Sequence, residues 1–350
     1  MTTPDHFRDR ILGAAAGGAK LRLRGGGSKD WYGQGCEGEL LDTRGYAGIV
    51  DYEPTELVIT ARCGTPLAEI EAALAERGQM LAFEPPHFGA ATFGGAIASG
   101  LSGPRRASAG AVRDFVLGTV LMDGAGQTLT FGGQVMKNVA GYDVSRLLAG
   151  SMGTLGLLLQ ASVKVLPRAV RETSVRFAMS EIDALERLNM WGGQPLPISA
   201  SCWHDGMLTL RLSGAGAAVD AAKRLLGGEP VPDADAYWAS LREQRHAWFA
   251  DADSLWRLSV PSATGAIILR GEQLIEWGGA QRWLKAASDS ATAQNIRRAV
   301  KAVGGHATLF RGGDKSVGVF QPLAPAVAAI HQRLKASFDP SQVFNPGRMY

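Results

Sequence analysis

Two glycine clusters carry the chemistry this chain advertises most plainly. Residues 84–110 hold six glycines, with Thr92, Ser99, Ser102 and Ser108 between them and Gly103-Pro104-Arg105-Arg106 near the end. Glycine lets backbone approach a ligand closely and adopt positive φ. Unpaired amides in such a loop make a concave anion site, and Arg105 and Arg106 add fixed positive charge suited to phosphate. Phe88, Phe93, Ile97 and Leu101 make the stretch too apolar for disorder. Structureless loops of this length are uncommon unless they serve a function. Upstream, the alternating run Leu21-Arg22-Leu23-Arg24 enters Gly25-Gly26-Gly27-Ser28-Lys29, the order of a strand followed by a phosphate-binding turn. The two clusters together predict a backbone-lined cradle for a phosphate-bearing ligand.

Three further stretches bear on that cradle. Gly33-Gln34-Gly35-Cys36-Glu37-Gly38 matches the G-x-G-x-x-G dinucleotide fingerprint by letter, but no strand immediately precedes it and no periodic helix follows, so it reads as a loop. In 136–159, Asp143 caps a short helix ending at Gly150, and Gly150, Gly153 and Gly156 recur before an apolar strand expected over 155–166. Near residue 345 the run Phe344-Asn345-Pro346-Gly347-Arg348 joins an aromatic anchor to a Pro-Gly turn, which favours a docked segment over a frayed one.

On these residues the chain resembles the FAD-binding domain of the vanillyl-alcohol oxidase / p-cresol methylhydroxylase (PCMH) family. The matching pieces are Arg24-Gly25-Gly26-Gly27, Thr92-Phe93-Gly94-Gly95-Ala96-Ile97-Ala98, Gly141-Tyr142-Asp143 with Gly153-Thr154-Leu155-Gly156, and Asn345-Pro346-Gly347-Arg348. They cover about residues 20–170 and 338–348. The resemblance implies FAD, which brings its own hydride chemistry while the protein supplies binding and electrostatics. It assigns cofactor contacts to Arg24, Gly25, Gly26, Gly27, Ser28 and Lys29, and to Thr92, Gly94, Gly95, Ala98 and Ser99. Gly103, Pro104, Arg105 and Gly110 extend the set, and Gly153, Leu157 and Asn345 complete it. Met152 stands where the FAD-linked 2-hydroxyacid dehydrogenases of the family commonly carry Glu. Some members attach FAD through His or Cys; neither Gly27-Ser28-Lys29 nor Ser102-Gly103-Pro104-Arg105 contains one, so non-covalent FAD is expected.

The runs 255–261 and 276–284, with Val135 to Asp143, are most similar to flavin subunits of bacterial glycolate oxidases. That likeness implies oxidation of glycolate, a small 2-hydroxy acid, to glyoxylate, with a sister flavin subunit and an iron–sulfur subunit as partners. The chain has no cysteine cluster of its own for iron–sulfur ligation. Metal-dependent relatives carry a His-x-Gly-Asp-Gly-x-x-His-like motif. The nearest run here, His204-Asp205-Gly206, reads as a hairpin turn, and His6, His87, His204, His246, His306 and His331 never fall at ligand spacing, so no metal is expected. A general base must reach the substrate hydroxyl. His306 is the candidate base and Arg257 the candidate carboxylate clamp, since Arg suits planar bidentate recognition. A self-sufficient flavin dehydrogenase, and a flavin-binding structural subunit, remain as alternative readings.

The elements that must position these residues form an α+β chain: a two-subdomain PCMH-type FAD-binding domain (1–170), a smaller α+β cap or substrate domain (171–322), and a C-terminal helix and Asn-Pro-Gly segment (323–350) returning to the flavin. The first domain is expected to contain a helical lead-in over 5–19 and strands at 20–24 and 57–62. A helix capped by Thr65 then buries Leu67, Ile70 and Leu74, and a hairpin turns through Asp123 to Gly126. The second offers a strand at 172–179, a helix boxed by Ser180 and Asp183, and a hairpin on Asp205-Gly206. Helices follow at 215–226, 235–249 and 290–303, with strands near 255–260, 266–270 and 306–311. A last helix, 323–337, aligns Leu323, Val327, Ile330 and Leu334 on one expected core face. A net charge of +3 makes no case for nucleic acid. Three scattered cysteines and no secretory-type leader favour a cytoplasmic protein, held at the inner face of the membrane only through partners. No apolar run nears the ~20 residues of a direct membrane span.

Overall fold

The computed structural model describes residues 3–134 and 142–349; the first part of the run from Val135 to Asp143 lies outside them. The chain divides into two units. The first comprises Met1–Ser102, Gly110–Pro167 and Pro322–Tyr350; the second comprises Gly103–Ala109 and Arg168–Gln321.

In the first unit, a five-stranded antiparallel sheet runs in the order Ile49–Glu53, Val58–Arg62, Leu157–Lys164, Val116–Met122, Thr128–Gly132. Leu157–Lys164 sits centrally, and its apolar residues are buried on both faces, as a near-continuous hydrophobic run requires. A separate parallel pair joins Leu21–Arg24 to Glu39–Asp42. Leu21 enters a core with Phe7 and Ile11 of the helix Pro4–Gly17 and with Val343 and Phe344. The backbone continues that pairing: Leu21 donates to Val343 at 2.8 Å, and Asn345 donates to Leu21 at 2.9 Å. Fully buried Asp339 receives the amides of Val343 and Phe344, each at 2.8 Å. The Lys335 ammonium pairs with Asp339 at 2.6 Å and also reaches the carbonyls of Thr154 and Phe344. The segment expected to dock is therefore part of the core.

The second unit is built on an eight-stranded antiparallel sheet. Its order is Glu229–Pro230, Arg171–Ala178, Met207–Gly214, Ile198–His204, Glu272–Glu276, Gln281–Lys285, Ser254–Ser259, His306–Gly312. The helices Glu181–Gly192 and Ser290–Ala302 pack on apolar strand positions such as Leu208 and Leu210, and Trp256 and Leu258, respectively. Arg211, Thr209, Cys202, Glu276 and Gln281 alternate with those positions and are buried as well. The helix Ala234–Arg242 reaches this polar set: the Trp238 indole donates to Ser174 at 2.8 Å, and the Arg211 guanidinium lies 5.2 Å from its ring centroid.

Several expectations are corrected. The long 84–110 loop contains the helices Phe93–Ser99 and Arg106–Ala109. Thr65 does not cap the helix Leu67–Ala75; its hydroxyl donates to Arg62 and Gly48 carbonyls and accepts from the Gly48 amide, tying the chain beneath that helix. The helix expected over 235–249 stops at Arg242, where Gln244 turns left-handed (φ 49°), and Ala247–Phe249 forms a 3-10 turn. No strand forms over 266–270, where Ile268 is 98% exposed. The unforeseen strands Glu272–Glu276 and Gln281–Lys285 take its place, joined through Trp277, Gly278 and Gly279, all at positive φ. The helix Pro325–Phe338 has no fully buried side chain: Val327 and Ile330 are exposed, as is Leu323 just before it, while Leu334 and Lys335 are half-buried.

Candidate functional site

The site begins where Leu21–Arg24 ends. Gly26 lies flush against the 90–92 backbone; a Cβ there would fall 1.4 Å from the Ala90 carbonyl oxygen. A Cβ on Gly25 would meet the Thr92 hydroxyl at 2.2 Å. These two glycines are required by close approach, and Gly27 by its φ of 72°. Among the described residues, the amides of Gly25, Gly26, Gly27 and Ser28 have no acceptor. A run of unbonded amides in a tight turn is an anion-binding concavity.

Charged side chains surround the turn. Arg24 pairs with Asp30 at 2.7 Å. The Lys29 ammonium donates to the His87 carbonyl at 3.2 Å and sits 5.6 Å from the Phe88 ring centroid. The Thr92 hydroxyl accepts from the Gly95 amide, capping Phe93–Ser99. Arg348 spans the loop that follows the turn, donating to the carbonyls of Lys29 at 3.1 Å, Asp30 at 3.0 Å and Gln34 at 3.3 Å.

These elements enclose an open cleft of about 720 Å³. Arg24 to Lys29, Thr92, Gly95, Ala98, Ser99 and Asn345, all named from the sequence, are brought together along its walls. An adjoining hollow of about 440 Å³ shares Arg24, Gly25 and Asn345 with the first and adds Gly94, Gly153 and Leu157. Gly103, Pro104 and Arg105 line neither. They belong to the second unit, where the Arg105 guanidinium pairs with Glu172 at 2.6 Å and the Gly103 carbonyl accepts from the Trp277 indole at 3.1 Å. The charge expected to meet phosphate is thus engaged by a carboxylate. Gly110 lines neither cavity; its φ of 111° leads into a turn closed by Asp114, which accepts from the Ala111 amide. Arg257 and His306 occupy neighbouring strands of the second unit and line neither cavity. Arg257 stacks 5.5 Å from the Phe310 centroid, and the His306 imidazole is held below its ordinary pKa by partial burial and then by the Arg257 charge.

Seven residues lining the larger cleft lie outside the sequence-based site set: Arg22, Leu23, Asp30, Tyr32, Cys36, Met152 and Arg348. The alternation of Leu21-Arg22-Leu23-Arg24 was the available signal for Arg22, and Arg348 stood inside the closing motif. Cys36 lies outside both of the runs read for a covalent attachment residue, yet it lines the cleft. Its Sγ lies 3.8 Å from both the Glu37 carbonyl and Asn345 Oδ1. Burial pushes the thiol pKa up, outweighing the opposite pull of Arg348, Arg22 and Lys335. Met152, at φ 52°, also lines the cleft, and its carbonyl accepts from Asn345 Nδ2 at 2.7 Å. Among the described residues, no group of three His, Cys, Asp or Glu side chains is placed to hold a metal ion. None of their helices is long and apolar enough to cross a membrane.

The unbonded amides, the glycines that exclude a Cβ and the cationic rim fit a dinucleotide with a central pyrophosphate. Comparison with known proteins agrees. The FAD binding domain family matches residues 1–132. Glycolate oxidase subunit GlcE of Escherichia coli (strain K12) is 52% identical over 331 residues, 94% of this chain and 92% of that protein. Glycolate oxidase subunit GlcD of Bacillus subtilis (strain 168) is 31% identical over 136 residues, 39% of this chain and 29% of that protein. The D-lactate dehydrogenase of Archaeoglobus fulgidus is 32% identical over 155 residues, 42% of this chain and 33% of that protein. A solved alkyldihydroxyacetonephosphate synthase shares the fold, with a TM-score of 0.67 at 14% identity over 98% of this chain and 74% of that one. The chain belongs to the glycolate oxidase subunit GlcE family of FAD-binding oxidoreductases.

Proposed function

We propose that the chain is a flavin subunit of a glycolate oxidase, working beside a sister flavin subunit and an iron–sulfur subunit to oxidise glycolate to glyoxylate. The observation that carries this reading is the glycine turn with its unbonded amides, in a chain 52% identical to GlcE over 94% of its length. In this reading the first unit is the FAD domain and the second the cap or substrate domain. Gly25 to Ser28 would hold the pyrophosphate, with the hollow beside Gly94, Gly153 and Leu157 taking a less polar part of the cofactor. FAD supplies a two-electron acceptor for the carbon bearing the substrate hydroxyl. The chain's own residues bind and orient it: Arg348 holds the 29–34 loop, and Asn345 fixes Leu23 and Met152. Binding is non-covalent. The Cys36 thiol is held protonated by burial, and a thiol is a poor nucleophile. Acid precipitation should leave the flavin in the supernatant; colour in the pellet that Cys36→Ser abolishes would reverse this point.

The deciding experiment is an anaerobic titration with glycolate, following flavin bleaching. The isolated chain should bind FAD yet be reduced slowly, because Arg257 and His306, the candidate clamp and base, line neither cavity. Adding the sister flavin and iron–sulfur subunits should restore turnover. Turnover by the isolated chain at the rate of the assembly would favour the self-sufficient dehydrogenase. A chain without flavin affinity would favour a structural subunit.

A further inference from the structure

The cations of the larger cleft are not equally occupied. Arg24 has Asp30, Lys29 has the His87 carbonyl, and Arg348 has three carbonyls of the 29–34 loop. The side chain of Arg22 has neither a hydrogen bond nor an ion pair among the described residues, and its Nε is sealed from solvent. Its charged neighbour Arg348 repels it, adding to the burial that pushes the Arg348 guanidinium below its ordinary pKa. Arg22 as a whole is half-buried, but a buried guanidinium nitrogen without a partner still costs stability. Such a cost persists at a lining position where a ligand repays it.

We infer that Arg22 is held for the phosphates of the dinucleotide, as a positioning residue outside the glycine motifs. The geometry favours this assignment because Arg22 stands three residues before the first of the unbonded amides, on the strand that leads into the turn, and lines the same cleft. The inference rests on the flavin reading and deepens it. It makes Arg22 a determinant of dinucleotide over phosphate-free flavin, through charge-assisted bonds that a neutral side chain cannot make.

The test is a fluorescence titration of the full-length apoprotein with FAD and with riboflavin, which keeps the ring but has no phosphate. Wild type, Arg22→Gln and Arg22→Lys are compared at low and high salt. Arg22→Gln should weaken FAD binding by about tenfold to a hundredfold, the scale of one or two bonds to a charged group, and leave riboflavin binding within about twofold, since no bond to the ring is lost. Arg22→Lys should recover part of the loss, and the salt sensitivity of FAD binding should fall in Arg22→Gln. The melting temperature of the Arg22→Gln apoprotein should hold or rise, because an unpaired cation has been removed. Equal weakening toward both ligands, unchanged FAD affinity, or a lowered apoprotein melting temperature would each overturn the inference. Failure of the wild-type apoprotein to take up FAD would instead remove the flavin reading beneath it.

Discussion

The side-chain oxygen of Asn345 accepts the backbone amide of Leu23 at 2.8 Å across 322 residues of sequence. The other end of the same amide donates to the Met152 carbonyl at 2.7 Å. One buried side chain at φ 42° thus ties together three walls of the cleft. Asn345→Ala should leave Leu23 N–H and Met152 C=O unpartnered, at a cost of about 2–4 kcal/mol for two buried polar groups. Asn345→Asp keeps the acceptor for Leu23 but sets a carboxylate oxygen against the Met152 carbonyl, so it should lose stability as well. Flavin-to-protein ratio and thermal melting check both, and normal flavin content in Asn345→Ala would refute the tie.

Gly26→Ala places a methyl within bonding distance of the Ala90 carbonyl, so the turn cannot close on 90–92. FAD content should fall to background. Gly95, by contrast, lies inside the helix Phe93–Ser99 and has no left-handed φ. A Cβ there meets only the Thr92 hydroxyl, at 3.0 Å. Gly95→Val should therefore fold, with an apoprotein melting temperature within a few degrees of wild type, while its side chain enters the cleft and lowers FAD affinity. Parallel measurement of melting and flavin uptake separates the two glycines.

Arg348→Ala removes three bonds to the 29–34 loop. Cleavage by trypsin near Lys29 should accelerate, and FAD should bind about tenfold more weakly, with Arg348→Lys intermediate because an ammonium lacks the guanidinium fork. Unaltered cleavage kinetics would show that the loop is held by other contacts.

Glu172 governs the acid limb of the second unit. Burial raises its pKa, but Arg211, the Ser213 hydroxyl and Arg105 outweigh burial and leave it below the ordinary carboxylate value. A depressed carboxylate contributes stability above its unfolded pKa, about 4.3, and that contribution is lost as pH falls through the lower folded value. Glu172→Gln should cost about 2 kcal/mol at neutral pH, the scale of a bond between charged groups. Its melting deficit relative to wild type should shrink steadily below about pH 4. A deficit constant with pH would contradict the ion-pair account.

Much of this was legible because the determinants are local. Asp205-Gly206 turns its hairpin at φ 49° and 73°, and Ser180 accepts from the Asp183 amide as its spacing requires. Leu67, Ile70 and Leu74 are fully buried, and the turn glycines stand where a strand meets a backbone. What escaped depends on partners distant in sequence. Arg105 read as a phosphate ligand because Glu172, 67 residues away, is not visible from its neighbours. Trp277 gives no cue to its left-handed φ of 55°, so the turn joining two strands went unread. The apolar stripe of 323–337 has the right period for a core face, but period alone cannot say what covers it.

The pairing of Leu21 with Phe344 also sets an order of events during synthesis. Strand Leu21–Arg24 emerges from the ribosome early, yet one of its neighbours arrives more than 300 residues later. A nascent chain ending anywhere before residue 343 therefore has an incomplete cradle, although it already contains both glycine loops. The second unit, most of it contiguous over Arg168–Gln321, can fold while the first still waits. Cofactor loading then becomes a late step, and arrested chains of increasing length should acquire flavin abruptly once Asn345 is free of the exit tunnel.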